Sequence, residues 1–98
     1  MSYQCISIDD TKSLLKKEDV TIIDIRDNNS FSNGHIENAQ HIEDINIDNF
    51  LLEKDKNEAI LIYCYHGISS KSAAQFFIQN GFHNVFSMDE GYAGWIKI

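Results

Sequence analysis

Residues 20–25 (Val-Thr-Ile-Ile-Asp-Ile) and Ala59–Tyr63 (Ala-Ile-Leu-Ile-Tyr) are short, mostly apolar and rich in β-branched side chains. Runs of this kind read as strands covered on both faces, the setting of a parallel sheet with helices packed above and below it. Residues 84–88 repeat the pattern more weakly, and Gln4–Ile6 suits a short opening strand. Between the strands the period changes. Ser70, Ala73, Ala74, Phe77 and Ile78 recur at helical spacing, and Asn80-Gly81 stops that helix. Ile47, Phe50 and Leu51 mark another helix ahead of the Ala59 strand. Ser7-Ile8-Asp9-Asp10 has the form of a capping box with an acid at its third position, opening a helix through Leu14, Leu15 and Lys17. Lys16 and Lys17 suit the negative end of that helix. Strands alternating with helices imply βαβ units, hence an α/β fold around a central, mostly parallel sheet.

A chain of 98 residues fits one domain with a modest core and leaves no room for a second. Eight Lys and Arg stand against 15 Asp and Glu, a formal charge of −7. That balance argues against nucleic acid as a partner, because phosphates need a basic face. No stretch approaches the ~20 apolar residues of a membrane span, and Asp9 and Asp10 interrupt any signal-peptide pattern. Two cysteines, Cys5 and Cys64, are too few for a disulfide framework. The expectation is a cytoplasmic protein without a membrane partner.

Ligands of parallel α/β sheets bind beyond the C-terminal ends of the strands, and that rule points at Cys64. The residues Cys64-Tyr65-His66-Gly67-Ile68-Ser69-Ser70-Lys71 join a buried strand to a helix start. In such a loop several backbone N–H groups turn inward and, with the positive end of the helix, form an anion site. The same field favours thiolate over thiol, which would make Cys64 a nucleophile with a lowered pKa. Gly67 would allow a backbone conformation closed to other residues, and Ser69 or Ser70 would cap the helix or offer a hydroxyl to the anion. The competing reading makes Cys64 a small buried strand residue, a common place for cysteine.

The loop of residues 64–71 resembles the active-site loop of the rhodanese family, in particular its single-domain thiosulfate sulfurtransferases of the glycerol 3-phosphate regulon type. Asp24-Ile25-Arg26-Asp27 followed by Gly34-His35-Ile36 is similar to the first family signature, and Asp89-Glu90-Gly91-Tyr92-Ala93-Gly94-Trp95 to the C-terminal one. The resemblance covers residues 1–98 as a single rhodanese domain. It implies a five-stranded, mostly parallel sheet with helices on both faces, and a persulfide formed on Cys64. Thiosulfate would be the donor, with cyanide, a dithiol or a thioredoxin-like protein as acceptor, and no cofactor or metal. The resemblance implies that the backbone of Tyr65, His66, Gly67, Ile68, Ser69 and Ser70 binds the substrate. The commonest family loop carries arginine where this chain has Ser69, so Ser69, Ser70 and Lys71 would assist the amides. Where the family usually has Gly-His-Ile-Pro-Gly-Ala, this chain has Gly34-His35-Ile36-Glu37-Asn38-Ala39, a turn altered away from the chemistry.

Other residues receive structural roles. Asp24 and Arg26 form an internal polar network near the loop, and His35 ties a turn. His41 and His83 have no partner pattern and are expected at the surface. His66 either raises the local positive potential when protonated or is simply an exposed loop residue. Cys5 is a core or near-surface thiol of the first strand, and Trp95 anchors the last helix. Cys64 and His66 lack a second pair of ligands at zinc spacing. Two rival functions stay open at this stage. One is a sulfur carrier or protein-interaction module that does not turn over thiosulfate. The other is a cysteine phosphatase or arsenate reductase, which needs arginine six residues after the cysteine, where this chain has Ser70.

Overall fold

The computed structural model describes residues 2–97. Five strands, β1 (Gln4–Ile6), β2 (Val20–Asp24), β3 (Gln40–His41), β4 (Ala59–Tyr63) and β5 (Val85–Met88), form one sheet in the order β1-β5-β4-β2-β3. Every pairing is parallel, with Asp24 beside Tyr63 and Ile62 beside Ser87. The helices are α1 (Ile8–Lys17), α2 (Asn28–Asn33), α3 (Ile47–Glu53), α4 (Ser69–Gln79) and α5 (Gly91–Trp95), with a 3-10 turn at Ile42–Asp44.

All five residues of β4 are buried, as its run of apolar side chains requires. Alternation sends Ala59, Leu61 and Tyr63 to one face, where they meet Ile8, Ile22, Ile36, Phe86 and Met88 beneath Leu14, Leu15 and Trp95. Ile60 and Ile62 point the other way, into a layer with Ile23, Phe50, Ala74, Phe77, Phe82 and Val85. Helices α1 and α5 therefore cover one face, and α3 and α4 the other. The expectation of a sheet flanked on both sides holds.

Local chemistry sets the element ends. Ser7 caps α1 by accepting from the Asp10 N–H at 3.0 Å, and Lys16 and Lys17 occupy its last turn. Gly81, with φ of +95°, turns the chain after α4 so that the Phe82 N–H returns to the Phe77 carbonyl at 3.1 Å. The strand expected at residues 20–25 ends at Asp24, although the Ile25 N–H still donates to the Tyr63 carbonyl. The altered turn is tight: the Ala39 N–H donates to the Ile36 carbonyl at 2.9 Å, and Asn38 takes φ of +71°. Asparagine tolerates that left-handed conformation, so it fills a place that the family usually gives to glycine.

His41 corrects the expectation of a surface residue. It is fully buried on β3, with Nε2 2.6 Å from the Arg26 carbonyl and its ring beside Phe31. Pairing of β3 with β2 carries it inward, and α2 covers it. Exposed His83 and the exposed, free thiol Cys5 match their expected places. His35 is exposed, stacks on Phe31 and places Nδ1 2.8 Å from the Phe31 carbonyl. No helix among the described residues is long and apolar enough to cross a membrane.

Candidate active site

Cys64 is the first residue after the central strand β4, and only 7% of it is exposed. The chain then curls back over the sulfur. Sγ accepts from the Gly67 N–H at 3.1 Å and from the Ser70 N–H at 3.3 Å, while Ser70 Oγ lies 3.5 Å away. Burial pushes the thiol pKa up, but the Ser70 hydroxyl and the N–H groups of Ser70, Gly67 and His66 outweigh it and hold the pKa below the usual cysteine value. A thiolate is thus stabilised by main-chain and hydroxyl dipoles.

Two glycines make that curl possible. Gly67 has φ of +85°, and a Cβ there would lie 2.9 Å from the Glu90 nitrogen. Gly91 has φ of +58°, and its Cβ would fall 2.5 Å from the Cys64 carbonyl oxygen and 2.6 Å from both carbonyl atoms of Tyr65. Such close approach lets α5 grip the loop. The Tyr92 N–H donates to the Cys64 carbonyl and the Ala93 N–H to the Tyr65 carbonyl, each at 2.9 Å. With these carbonyls taken up by α5, the N–H groups of Gly67 and Ser70 are left to face the sulfur.

Neither Ser69 nor Ser70 caps α4, contrary to expectation. The cap position is Ile68, which offers no side-chain bond, and the Ser70 hydroxyl is buried between Cys64 and Ser87. Ser69 and Lys71 are exposed on the first turn of α4, and Tyr65, His66 and Ile68 are exposed on the rim, Ile68 at 74%. The His66 ring packs on Tyr65 with centroids 4.8 Å apart. Six residues beyond the cysteine, where a phosphatase needs its guanidinium, stands the buried Ser70.

Asp24 and Arg26 form the expected internal network. Arg26 Nε reaches both carboxylate oxygens at 3.1 and 3.0 Å, and Nη2 reaches Oδ2 at 2.6 Å and the Gly34 carbonyl at 2.7 Å. The guanidinium lies 4.0 Å from the Tyr92 ring centroid, so the pair ties β2 and α2 to α5. Beside it a cavity of about 210 Å³ is lined by Arg26, Ser30, Asn33, Gly34, Tyr65 and Tyr92. A larger hollow of about 440 Å³, at β3 and α3, includes no residue of the loop 64–71. Among the described residues, no three His, Cys, Asp or Glu side chains converge as a metal would require.

Sequence reasoning missed two contributors. Ser87 approaches Ser70 from β5, across 17 positions of chain, with no local pattern to announce it. Gly91 stands in the sequence only as part of the C-terminal motif, and its contact with the loop emerges only in three dimensions.

Known proteins are similar to this chain. The thiosulfate sulfurtransferase GlpE of Pseudoalteromonas translucida is 46% identical over 95 residues, spanning 97% of this chain and 90% of that protein. Its namesake in Shewanella oneidensis is 38% identical over 94 residues, 96% of this chain and 93% of its own. A rhodanese-like domain protein from Staphylococcus aureus superposes with a TM-score of 0.78 at 29% identity, covering 94% of this chain and 90% of that one. The family model of the rhodanese-like domain matches residues 7–98, nearly the whole of the chain: the chain belongs to the rhodanese-like domain family.

Proposed function

We propose that this protein is a thiosulfate sulfurtransferase working by double displacement, with Cys64 as the nucleophile. One observation carries the reading: Sγ, at the end of the central strand, accepts from the Gly67 and Ser70 N–H groups, in a chain 46% identical to a protein of that name. The Cys64 thiolate attacks the outer sulfur of thiosulfate, forming the new S–S bond while the old one breaks and sulfite departs with the electron pair. The two negative charges of thiosulfate leave on sulfite, and the single charge of the thiolate passes to the persulfide. An acceptor then attacks the outer persulfide sulfur and frees Cys64. Cyanide leaves as thiocyanate; a dithiol or thioredoxin-like protein takes the sulfur and ends as a disulfide and hydrosulfide.

Backbone groups of Tyr65, His66, Gly67, Ile68, Ser69 and Ser70 hold the donor and the persulfide, and preorganised N–H dipoles suit both because they need no rearrangement as charge moves. Ser69, exposed at the first position of α4, and Lys71, exposed in the same turn, meet the sulfonate end of thiosulfate. Buried Ser70 serves the sulfur atom itself. Asp24 and Arg26 support the loop without touching the reacting atoms. Residues 1–98 act as one domain, in the reducing cytoplasm where both thiols stay free, without a nucleic acid, membrane, metal or cofactor partner.

Brief incubation with thiosulfate, followed by intact-protein mass spectrometry, tests the reading. A gain of one sulfur atom, removed by cyanide and absent in Cys64→Ser, is expected. No gain at any thiosulfate concentration would overturn it.

A further inference from the structure

Ser87 interrupts the apolar run of β5, between Phe86 and Met88, and is fully buried. Its hydroxyl oxygen lies 2.7 Å from Ser70 Oγ, which in turn lies 3.5 Å from Cys64 Sγ. The position is firmly set, because β5 is held between β1 and β4, with Ser87 beside Cys5 on one side and Ile62 on the other.

Each hydroxyl has one proton to donate. When Sγ is a thiolate it can only accept, so the Ser70 proton points to Sγ and Ser70 Oγ receives the Ser87 proton. When Sγ is protonated, its proton points to Ser70 Oγ and the Ser70 proton turns to Ser87. The two arrangements use the same three atoms with both donors reversed. Hydrogen bonds to an ion are about twice as strong as neutral ones, and a hydroxyl that is itself receiving a proton donates better.

We infer that Ser87 is a positioning residue for the sulfur transfer: acting through Ser70, its hydroxyl holds the Ser70 O–H on the Cys64 sulfur. The inference rests on Cys64 being the nucleophile of the proposed reaction. Without the Ser87 oxygen, the Ser70 proton loses the partner that fixes its direction.

Charges nearby do not replace this chain of hydroxyls. His66 in the loop, Lys71 on α4 and Glu90 beyond β5 are exposed, and Asp89 is half-buried. Asp24 and Arg26, at the end of β2, satisfy each other. Tyr65 lies on the rim, Tyr92 lies against Arg26, and Cys5 is exposed on β1. Among the described residues none of these side chains bonds to Sγ, which is held by main-chain N–H groups of the loop and by the Ser70 hydroxyl.

The test is thiolate absorbance against pH in a Cys5→Ser background, which removes the second titrating thiol. Ser87→Ala should raise the Cys64 midpoint by roughly a few tenths of a pH unit, and Ser70→Ala by more. Below both midpoints, persulfide formation from thiosulfate should slow by roughly twofold in Ser87→Ala, converging with the parent at high pH. In a Ser70→Ala background, Ser87→Ala should add almost nothing, because its path to the sulfur is gone. A Ser87→Ala midpoint equal to the parent's, or a shift that persists in full without the Ser70 hydroxyl, overturns the inference. If Ser87→Ala does not fold, Ser87→Gly removes the same oxygen, adds no atom and is read in the same way. The titration needs no thiosulfate, so failure of the parent chain to take up sulfur would overturn the reaction and leave the Ser87 result legible by itself.

Discussion

Replacing Gly91 by alanine puts a single methyl group against the two carbonyls that shape the sulfur site. Its Cβ would stand 2.5 Å from the Cys64 oxygen, where ordinary contact begins near 3.4 Å, so backbone must retreat by roughly 0.9 Å. Neither partner is a flexible side-chain end. A left-handed conformation costs an L-residue roughly 1 kcal/mol, and overpacking against fixed atoms roughly 1–3 kcal/mol more. Retreat also stretches the Tyr92-to-Cys64 and Ala93-to-Tyr65 hydrogen bonds, worth roughly 1 kcal/mol each. The sum, roughly 4–6 kcal/mol if both bonds are lost, is a large share of the roughly 5–15 kcal/mol that holds a domain of this size together. Gly81→Ala is the matched control. Its φ is also positive, at +95°, but its Cβ would meet only the Lys56 side chain at 3.8 Å, so only the conformational cost applies. Thermal unfolding should place Gly81→Ala roughly 4–8 °C below the parent and Gly91→Ala at least twice as far below it. Thiosulfate-to-cyanide turnover should fall only in Gly91→Ala, since only that change displaces the loop. Equal melting temperatures for the two variants, or full turnover in Gly91→Ala, would refute the steric argument.

Other outcomes follow from the same contacts. Cys64→Ser should abolish the thiosulfate-dependent gain of sulfur, whereas Cys5→Ser, altering an exposed thiol on β1, should leave turnover within about twofold, as parallel mass spectra and rate assays would reveal. Persulfide formation should decline as pH falls through a midpoint below the ordinary thiol value of about 8.5, since burial of Cys64 is outweighed by hydrogen bonds from Ser70 and Gly67. A group whose pKa is depressed on folding stabilises the fold above its unfolded value and loses that contribution as pH drops through its folded value. Urea midpoints of the parent minus those of Cys64→Ser should therefore grow from acid to mildly alkaline pH; a flat difference would contradict the assignment. Asp24→Asn leaves the Arg26 guanidinium buried without its counter-charge and should cost roughly 3–5 kcal/mol in urea unfolding, with a loss under 1 kcal/mol counting against the network.

What was legible in the sequence is what short-range physics controls. The strand Ala59–Tyr63 announces itself because every residue is buried, and Ser7 because its cap partner is three residues away. Cys64 was legible from order alone: a buried strand, a glycine-bearing loop and a helix bring main-chain donors onto its side chain. Features made by contacts between distant segments were not. The six residues of α2, Asn-Asn-Ser-Phe-Ser-Asn, are poor helix formers held by the Asp27 cap. His41 is buried by a strand only two residues long, too short to show a period. Ser87 carries no local signal, because its partner Ser70 is brought to it only by the packing of α4 on β5.

The grip of α5 on the loop also sets a timetable. A chain leaves the ribosome N-terminal end first, so Cys64 emerges before Ser87 and before Tyr92 and Ala93, whose N–H groups seize the loop's carbonyls. Until residues 91–95 arrive and dock, the sulfur lacks the geometry that favours its ionised form. Tyr92 and Ala93 are thus the last of the loop's named partners to reach it.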